Sequence, residues 1–516
     1  MAFGKMPIVY GLMQESGIQT GFGGYRDMVF DPNSLIASGI LEIQAPPLEL
    51  RGRGILIGFV DTGIRYDLDV FRRSDGSTRI VRLWDQQENR VYGEQEINEA
   101  LTSTDPYRIV PVTDENGHGT ALASVAAGSR LGEGREYIGA APASSLMVVK
   151  LKEATQEQKA YYFVPEGVPC YSETDIMAAL DFLDRQADEL QMPLVICFGL
   201  GTNLGAHSGS NTLERYMDLL ALKERRVLVN CCGNEGNKQH HFEGRFYESL
   251  NDSNSGIVLP LSRRMEIRVS EGVPGFVMTV WAQQPYQYQF TIRSPRGEVI
   301  RDIKSESDGE IPYGFVYDKS IIYLETQRVE AGSGSQLLFL RFENPASGLW
   351  SIIVNELEYT RTAIFHSWLP IEAFLAAPVT FLEPNPNITL TIPSTAQNPI
   401  SVSTYDDLDN SFYPASGRGY TRDGRAKPDL AAPGVNVSTI LGKMTGSGIA
   451  AAITAGGAAL FMEWAVGRAR LPGANSIDVK NYLIRGAVRE SDIAYPSREW
   501  GYGRLNLGGT FQSMTI

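Results

Sequence analysis

Two hydrophobic patterns alternate along the chain. The first is the short continuous apolar run. Gly54-Ile-Leu-Ile-Gly-Phe-Val60 and Val227-Leu-Val-Asn-Cys-Cys232 show almost no polar face. Such runs predict strands buried on both sides, as in a parallel sheet covered by helices. Small-residue stretches accompany them. Ala121 to Ala127 and the segment around Ala450-Ala-Ala-Ile-Thr-Ala-Gly456 predict helices packed deep in a core. The second pattern occupies about 240–375. There short runs such as Gly275-Phe-Val-Met-Thr-Val-Trp281 and Tyr286-Gln-Tyr-Gln-Phe-Thr-Ile292 alternate apolar and polar positions. Turn signals such as Ser294-Pro-Arg-Gly297 and Ala331-Gly-Ser-Gly-Ser335 separate them. That predicts an antiparallel β-sandwich. The fold class read from these patterns is α/β. A parallel sheet flanked by helices spans 1–239 and 376–516, and an antiparallel β jelly roll is inserted at 240–375.

Polar residues with chemistry sit at the ends of the apolar runs. Asp61-Thr62-Gly63 follows the first run. Asn116-Gly-His118-Gly-Thr-Ala121 opens the small-residue helix, and Gly233-Asn234-Glu-Gly236 follows the second run. Met444-Thr-Gly-Ser-Gly448-Ile-Ala-Ala-Ala-Ile-Thr-Ala-Gly456 enters the C-terminal helix. Each motif is weak alone. In this order the four resemble the subtilisin-like serine peptidases. Gly139 to Lys150, Lys427-Pro-Asp-Leu-Ala-Ala-Pro-Gly434 and Trp500-Gly-Tyr-Gly-Arg-Leu-Asn506 extend the resemblance over about 30–240 and 395–510. The resemblance implies that Asp61 orients the imidazole, His118 is the general base, and Asn234 stabilises the oxyanion. It places substrate-binding backbone at Gly199, Leu200 and Gly201.

The chain departs from that family at the decisive place. Alignment on Ala450 and on Ala455-Gly456 puts Gly448 where the nucleophilic serine should stand, and a peptidase without its attacking oxygen forms no acyl-enzyme. Ser447 is the one neighbouring hydroxyl. Adjacent helix positions differ by about 100°, which takes it away from the base. The strand expected beside the substrate departs too, with Gly199 for serine in Gly199-Leu-Gly201.

The inserted sandwich, closed by Leu390-Thr-Ile-Pro-Ser-Thr-Ala396, resembles the Csp subtilases of clostridial spores. So do Leu48 to Gly58 and Gly201 to Gly209. In that family some members activate a cortex-lytic enzyme precursor, and others are pseudoproteases that regulate germination without cleaving. The resemblance therefore implies a non-cleaving regulator or sensor. The alternatives are an active subtilisin-type serine endopeptidase that processes such a precursor, or a structural partner of an active paralogue. Implied partners are a paralogous Csp protease or a cortex-hydrolase precursor, with a small-molecule germinant as a further ligand.

Composition changes this picture little. A net charge of −14 argues against nucleic acid and anionic membranes as partners. The length allows two to four domains. No run of 18 wholly apolar residues is present, so no membrane span is expected. The first ten residues lack a signal-peptide core, so synthesis in the cytoplasm is expected, and the Csp resemblance implies association with the spore. Cys197, Cys231 and Cys232 fall in core strands and are expected as buried thiols without disulfides. No metal or other cofactor is expected. His207, His240, His241 and His366 read as surface or loop residues. Because Ser34 to Gln44 already resembles the mature domain, roughly 20–30 residues precede it, fewer than a folded propeptide needs.

Overall fold

The computed structural model describes residues 6–13, 30–132, 136–246, 262–303, 309–357 and 363–514. At its centre, parallel strands lie in the order Ile400–Asp406, Arg226–Cys231, Leu194–Phe198, Leu56–Asp61, Ser145–Lys150, Ile80–Asp85. Every residue of Leu56–Asp61, Leu194–Phe198 and Arg226–Cys231 is buried. That accounts for their lack of a polar face. Helices His118–Ala127, Glu173–Glu189, Thr212–Leu222 and Ser447–Met462 pack on these strands.

The helix Ser447–Met462 is buried along its whole length. Its small residues permit close approach: a Cβ on Gly456 would lie 2.3 Å from Ala140 Cβ and 2.7 Å from the Ala126 carbonyl. Extended to Gly467, this segment is apolar and long enough to cross a membrane, with mean hydropathy 1.6, but 89% of that stretch is buried inside the protein. Its apolar surface serves the core.

Between His241 and Phe381 the described strands form two antiparallel sheets, one of six strands and one of five. Ser320–Gln327 alternates buried and half-buried residues, as a strand with one face inward should. Gly275–Ala282 is buried throughout for a different reason. Phe276, Met278 and Val280 enter the core of the insertion, while Val277 and Trp281 join the main core beside Leu337 and Phe339. This strand thus welds the insertion to the parallel-sheet body.

The four histidines expected at the surface are buried instead. His207 stacks on Trp368 at 4.0 Å, His241 stacks on the same ring at 4.8 Å, and His241 Nε2 lies 3.1 Å from His366 Nδ1. His240 pairs with Glu235 at 2.6 Å. Imidazoles read as polar in a sequence, but stacking on tryptophan beneath the insertion gives their apolar faces a partner. Burial lowers the pKa of His207 to about 4 and that of His241 to about 3, and it holds His366 well below the ordinary value.

Candidate active site

Asp61 is the last residue of its strand and His118 the first of its helix. This brings them together, with Asp61 Oδ1 2.7 Å from His118 Nδ1 and both side chains buried. A carboxylate at that distance holds the proton on Nδ1 and leaves the Nε2 lone pair outward. Asp114, which sequence reasoning missed, ties the two segments together. It accepts the Thr62 hydroxyl at 2.7 Å and the Gly117 and Thr120 amides at 2.9 and 2.8 Å. The carboxylate also suits a helix N-terminus. The glycine after the histidine is required: a Cβ on Gly119 would lie 2.3 Å from the Gly63 carbonyl.

A Cβ built on Gly448 would lie 3.3 Å from His118 Nε2. A side chain at 448 would therefore stand beside the base, where the sequence register expects a nucleophile. Ser447 is otherwise engaged: its buried Oγ accepts the Gly233 amide at 3.0 Å. Asn234 Oδ1 accepts the Ser447 amide at 3.0 Å, which aligns the side chain. Asn234 Nδ2 and His118 Nε2 are buried without a hydrogen-bond partner among the described residues.

The groove beside these residues is filled by the chain itself. Val9–Leu12 lies as the middle strand of three, between Tyr171–Ser172 and Leu200–Gly201, antiparallel to both. Gly11 stands opposite Gly201 and Leu12 opposite Leu200, and the Met13 amide donates to the Gly199 carbonyl at 3.1 Å. The Met13 carbonyl then accepts the Gly448 amide at 3.3 Å. This segment brings the Met13 carbonyl to the Gly448 amide, beside the Asp61–His118 pair. Gly199, Leu200 and Gly201, expected from the sequence to bind substrate, here pair through their backbones with this segment of the chain itself. The occupying strand was not foreseen.

The subtilase family pattern matches residues 52–256 and 382–503. The chain belongs to the subtilase family. The CspB protease of Clostridium perfringens is 30% identical over 94% of this chain and 98% of that one, with a TM-score of 0.83. This marks the protein as a Csp-type subtilase. MycP1 of Mycobacterium smegmatis (13% identical, covering 98% of this chain and 90% of its own, TM-score 0.43) and sphericase (14%, 91% and 97%, 0.44) are more remote and add nothing to the fold already described. No curated protein matches the chain.

In this Csp-type subtilase the wall of the site has closed around the glycine at 199. A Cβ there would lie 2.6 Å from Leu122 Cδ2 and 3.0 Å from His118 Cε1, so serine no longer fits without a shift. The insertion reaches the groove as well. A Cβ on Gly11 would meet Ile371 at 2.6 Å and Phe374 at 3.1 Å. Burial pushes the thiols of Cys170 and Cys232 up to about 12 and also raises those of Cys197 and Cys231 well above the ordinary value, which removes them as nucleophiles near neutral pH. Among the described residues no cluster of His, Cys, Asp or Glu converges as a metal site.

Proposed function

We propose that this Csp-type subtilase is a pseudoprotease, a non-cleaving regulator or sensor in spore germination whose cleft holds extended peptide. The observation that carries the reading is the glycine at 448, facing His118 Nε2 with no oxygen to activate. The rest of the apparatus persists. Asp61 would orient the imidazole and His118 would take a proton. The 448 amide and Asn234 would receive an oxyanion. In this reading Gly199, Leu200 and Gly201 bind peptide through backbone hydrogen bonds, a mode that loss of a side-chain nucleophile leaves intact. Residues 240–375 act as an inserted domain that walls one side of the groove.

The partners in this reading are proteins, a paralogous Csp protease or a cortex-hydrolase precursor, with a small-molecule germinant as a further ligand class. The protein would be made in the cytoplasm and reside with the spore. The retained Asp61–His118 pair favours one rival, an active endopeptidase using Ser447. That rival must free a hydroxyl already bound to the Gly233 amide. A fluorophosphonate probe decides between them. The expected result is no covalent label on the native chain and labelling of a Gly448→Ser variant. Stoichiometric label on Ser447 of the native chain would overturn the proposal.

A further inference from the structure

The strand that ends at Asp61 and the helix that begins at His118 meet a second cavity at their other ends. Arg51 and Arg53 precede the strand, Arg130 follows the helix, and the turn from Arg72 to Arg79 closes the side. The cavity is open to the surface and measures about 660 Å³. Among the described residues Arg51, Arg53, Arg72, Arg73, Arg79 and Arg130 line it, against one carboxylate, Asp69. In a chain of net charge −14 composition alone does not gather six guanidinium groups.

The neighbouring carboxylates are largely committed elsewhere. Glu463 accepts the amides of Arg51, Gly52 and Arg53 at 2.6, 2.6 and 3.1 Å and stands 3.8 Å from Arg53 Nη1. Glu94 takes Arg73 at 2.7 Å. Asp69 lies 3.7 Å from Arg72 Nε, too far for a hydrogen bond, and its side chain is 58% exposed. Arg79 is 4% exposed, and among the described residues its donors meet uncharged oxygens: Ser129 Oγ and the carbonyls of Ser144, Val70 and Ala127. Its charge is thus buried without a carboxylate partner among the described residues. The Nε atoms of Arg51 and Arg72 are buried with no hydrogen-bond partner among the described residues. Unspent buried donors and an uncompensated buried cation are costly unless a ligand supplies acceptors.

We infer that this cavity binds a small molecule carrying two or more anionic oxygen groups, carboxylate or phosphate. Planar guanidinium forks match both groups in bidentate geometry, and the volume is that of a small-molecule site. The site lies apart from the groove and is open while the groove is filled. The inference is independent of whether the cleft can cut.

The test is calorimetric titration of the full chain with inorganic pyrophosphate and with citrate, each at ionic strength matched with chloride. Saturable one-to-one binding of at least one anion is expected; the tighter of the two assigns the ligand to phosphates or to carboxylates. Arg53→Gln combined with Arg130→Gln changes only exposed side chains, and it should weaken binding tenfold or more while circular dichroism stays native. Arg72→Gln should do the same. Arg185→Gln, on an exposed helix face, should change nothing. Heat no greater than that of chloride for both anions would overturn the inference. So would equal weakening by Arg185→Gln, which would mark diffuse charge attraction.

Discussion

The centre of the cleft and the walls of its groove have fared differently. At the centre, chemistry hangs on single side-chain atoms, and in the proposed reading the lack of one oxygen at 448 leaves Asp61, His118 and Asn234 with nothing to activate. Along the walls, contact runs through the backbone at Gly199, Leu200, Gly201 and Tyr171–Ser172, and the chain's own strand Val9–Leu12 fills the groove. A single substitution can remove catalysis. It cannot remove a strand edge, because every residue but proline carries the same hydrogen-bonding groups. This asymmetry gives a physical route from a peptidase to a binding protein.

The largest expected effect comes from restoring the centre. Gly448→Ser puts an Oγ within reach of His118 Nε2, with the Met13 carbonyl already against the 448 amide at 3.3 Å. The expected outcome is self-cleavage after Met13, seen as a split intact mass, where the native chain shows none. A nucleophile of this type is worth roughly 10⁶-fold in kcat. A folded variant that stays whole and takes no fluorophosphonate would show that the centre has decayed beyond one residue. The close fit around Gly199 would then be the first suspect.

The second effect tests the walls in that restored background. Gly11→Phe drives a ring into Ile371 and Phe374, since even a Cβ falls 2.6 Å from Ile371. The resident strand should leave its register. A misplacement of about 1 Å costs roughly 10²-fold, so self-cleavage after Met13 should fall by about that factor, while turnover of an added peptide rises. Unchanged self-cleavage would mean that the groove tolerates a bulky residue here and that the insertion does not police it.

Much of the fold was legible because buried parallel strands leave a one-dimensional mark. Gly54 to Val60 reads as a strand without knowledge of its neighbours, and Asp61 and His118 mark element ends. The occupant of the groove left no such mark. Ile8 to Met13 is one short apolar run among many, and it becomes a strand only because edges at Tyr171 and Leu200, far along the chain, receive it. Asp114 was hidden for a related reason: a carboxylate in a turn shows its value only when Thr62 and Thr120 meet it. The histidines misled because polarity in sequence says nothing of a tryptophan waiting in the fold.

Those histidines supply a third effect, which separates the body from the cleft. Unfolded imidazoles titrate near pH 6.5. Folded His207 titrates near 4 and His241 near 3. Between those values the unfolded chain holds more protons, so each group lowers stability as pH falls from about 6.5, by about 1.4 kcal/mol per pH unit. Above pH 6.5 both are neutral in either state and contribute no slope. Glu214 works in the opposite direction, since burial raises its pKa to about 7. The clean measurement is therefore a difference between two chains. His241→Leu should flatten the acid limb of the urea-unfolding stability by about one proton's slope. An identical limb in both would show that His241 does not titrate on unfolding in this range.

The smallest effect is the one that most directly probes position 447. Its hydroxyl receives the Gly233 amide at 3.0 Å in a buried setting, and its own amide is held by Asn234. Ser447→Ala keeps the second bond and loses the first, leaving a buried N–H without an acceptor. Such a group costs about 1–3 kcal/mol, which chemical denaturation would resolve. The same substitution added to Gly448→Ser should leave self-cleavage within a few-fold, because the attacking oxygen belongs to residue 448 and residue 447 only braces the turn beneath it. If Ser447→Ala instead abolished cleavage while the chain stayed folded, the two hydroxyls would have exchanged roles. The centre of the cleft would then have kept its chemistry in a shifted register, and its contrast with the walls would disappear.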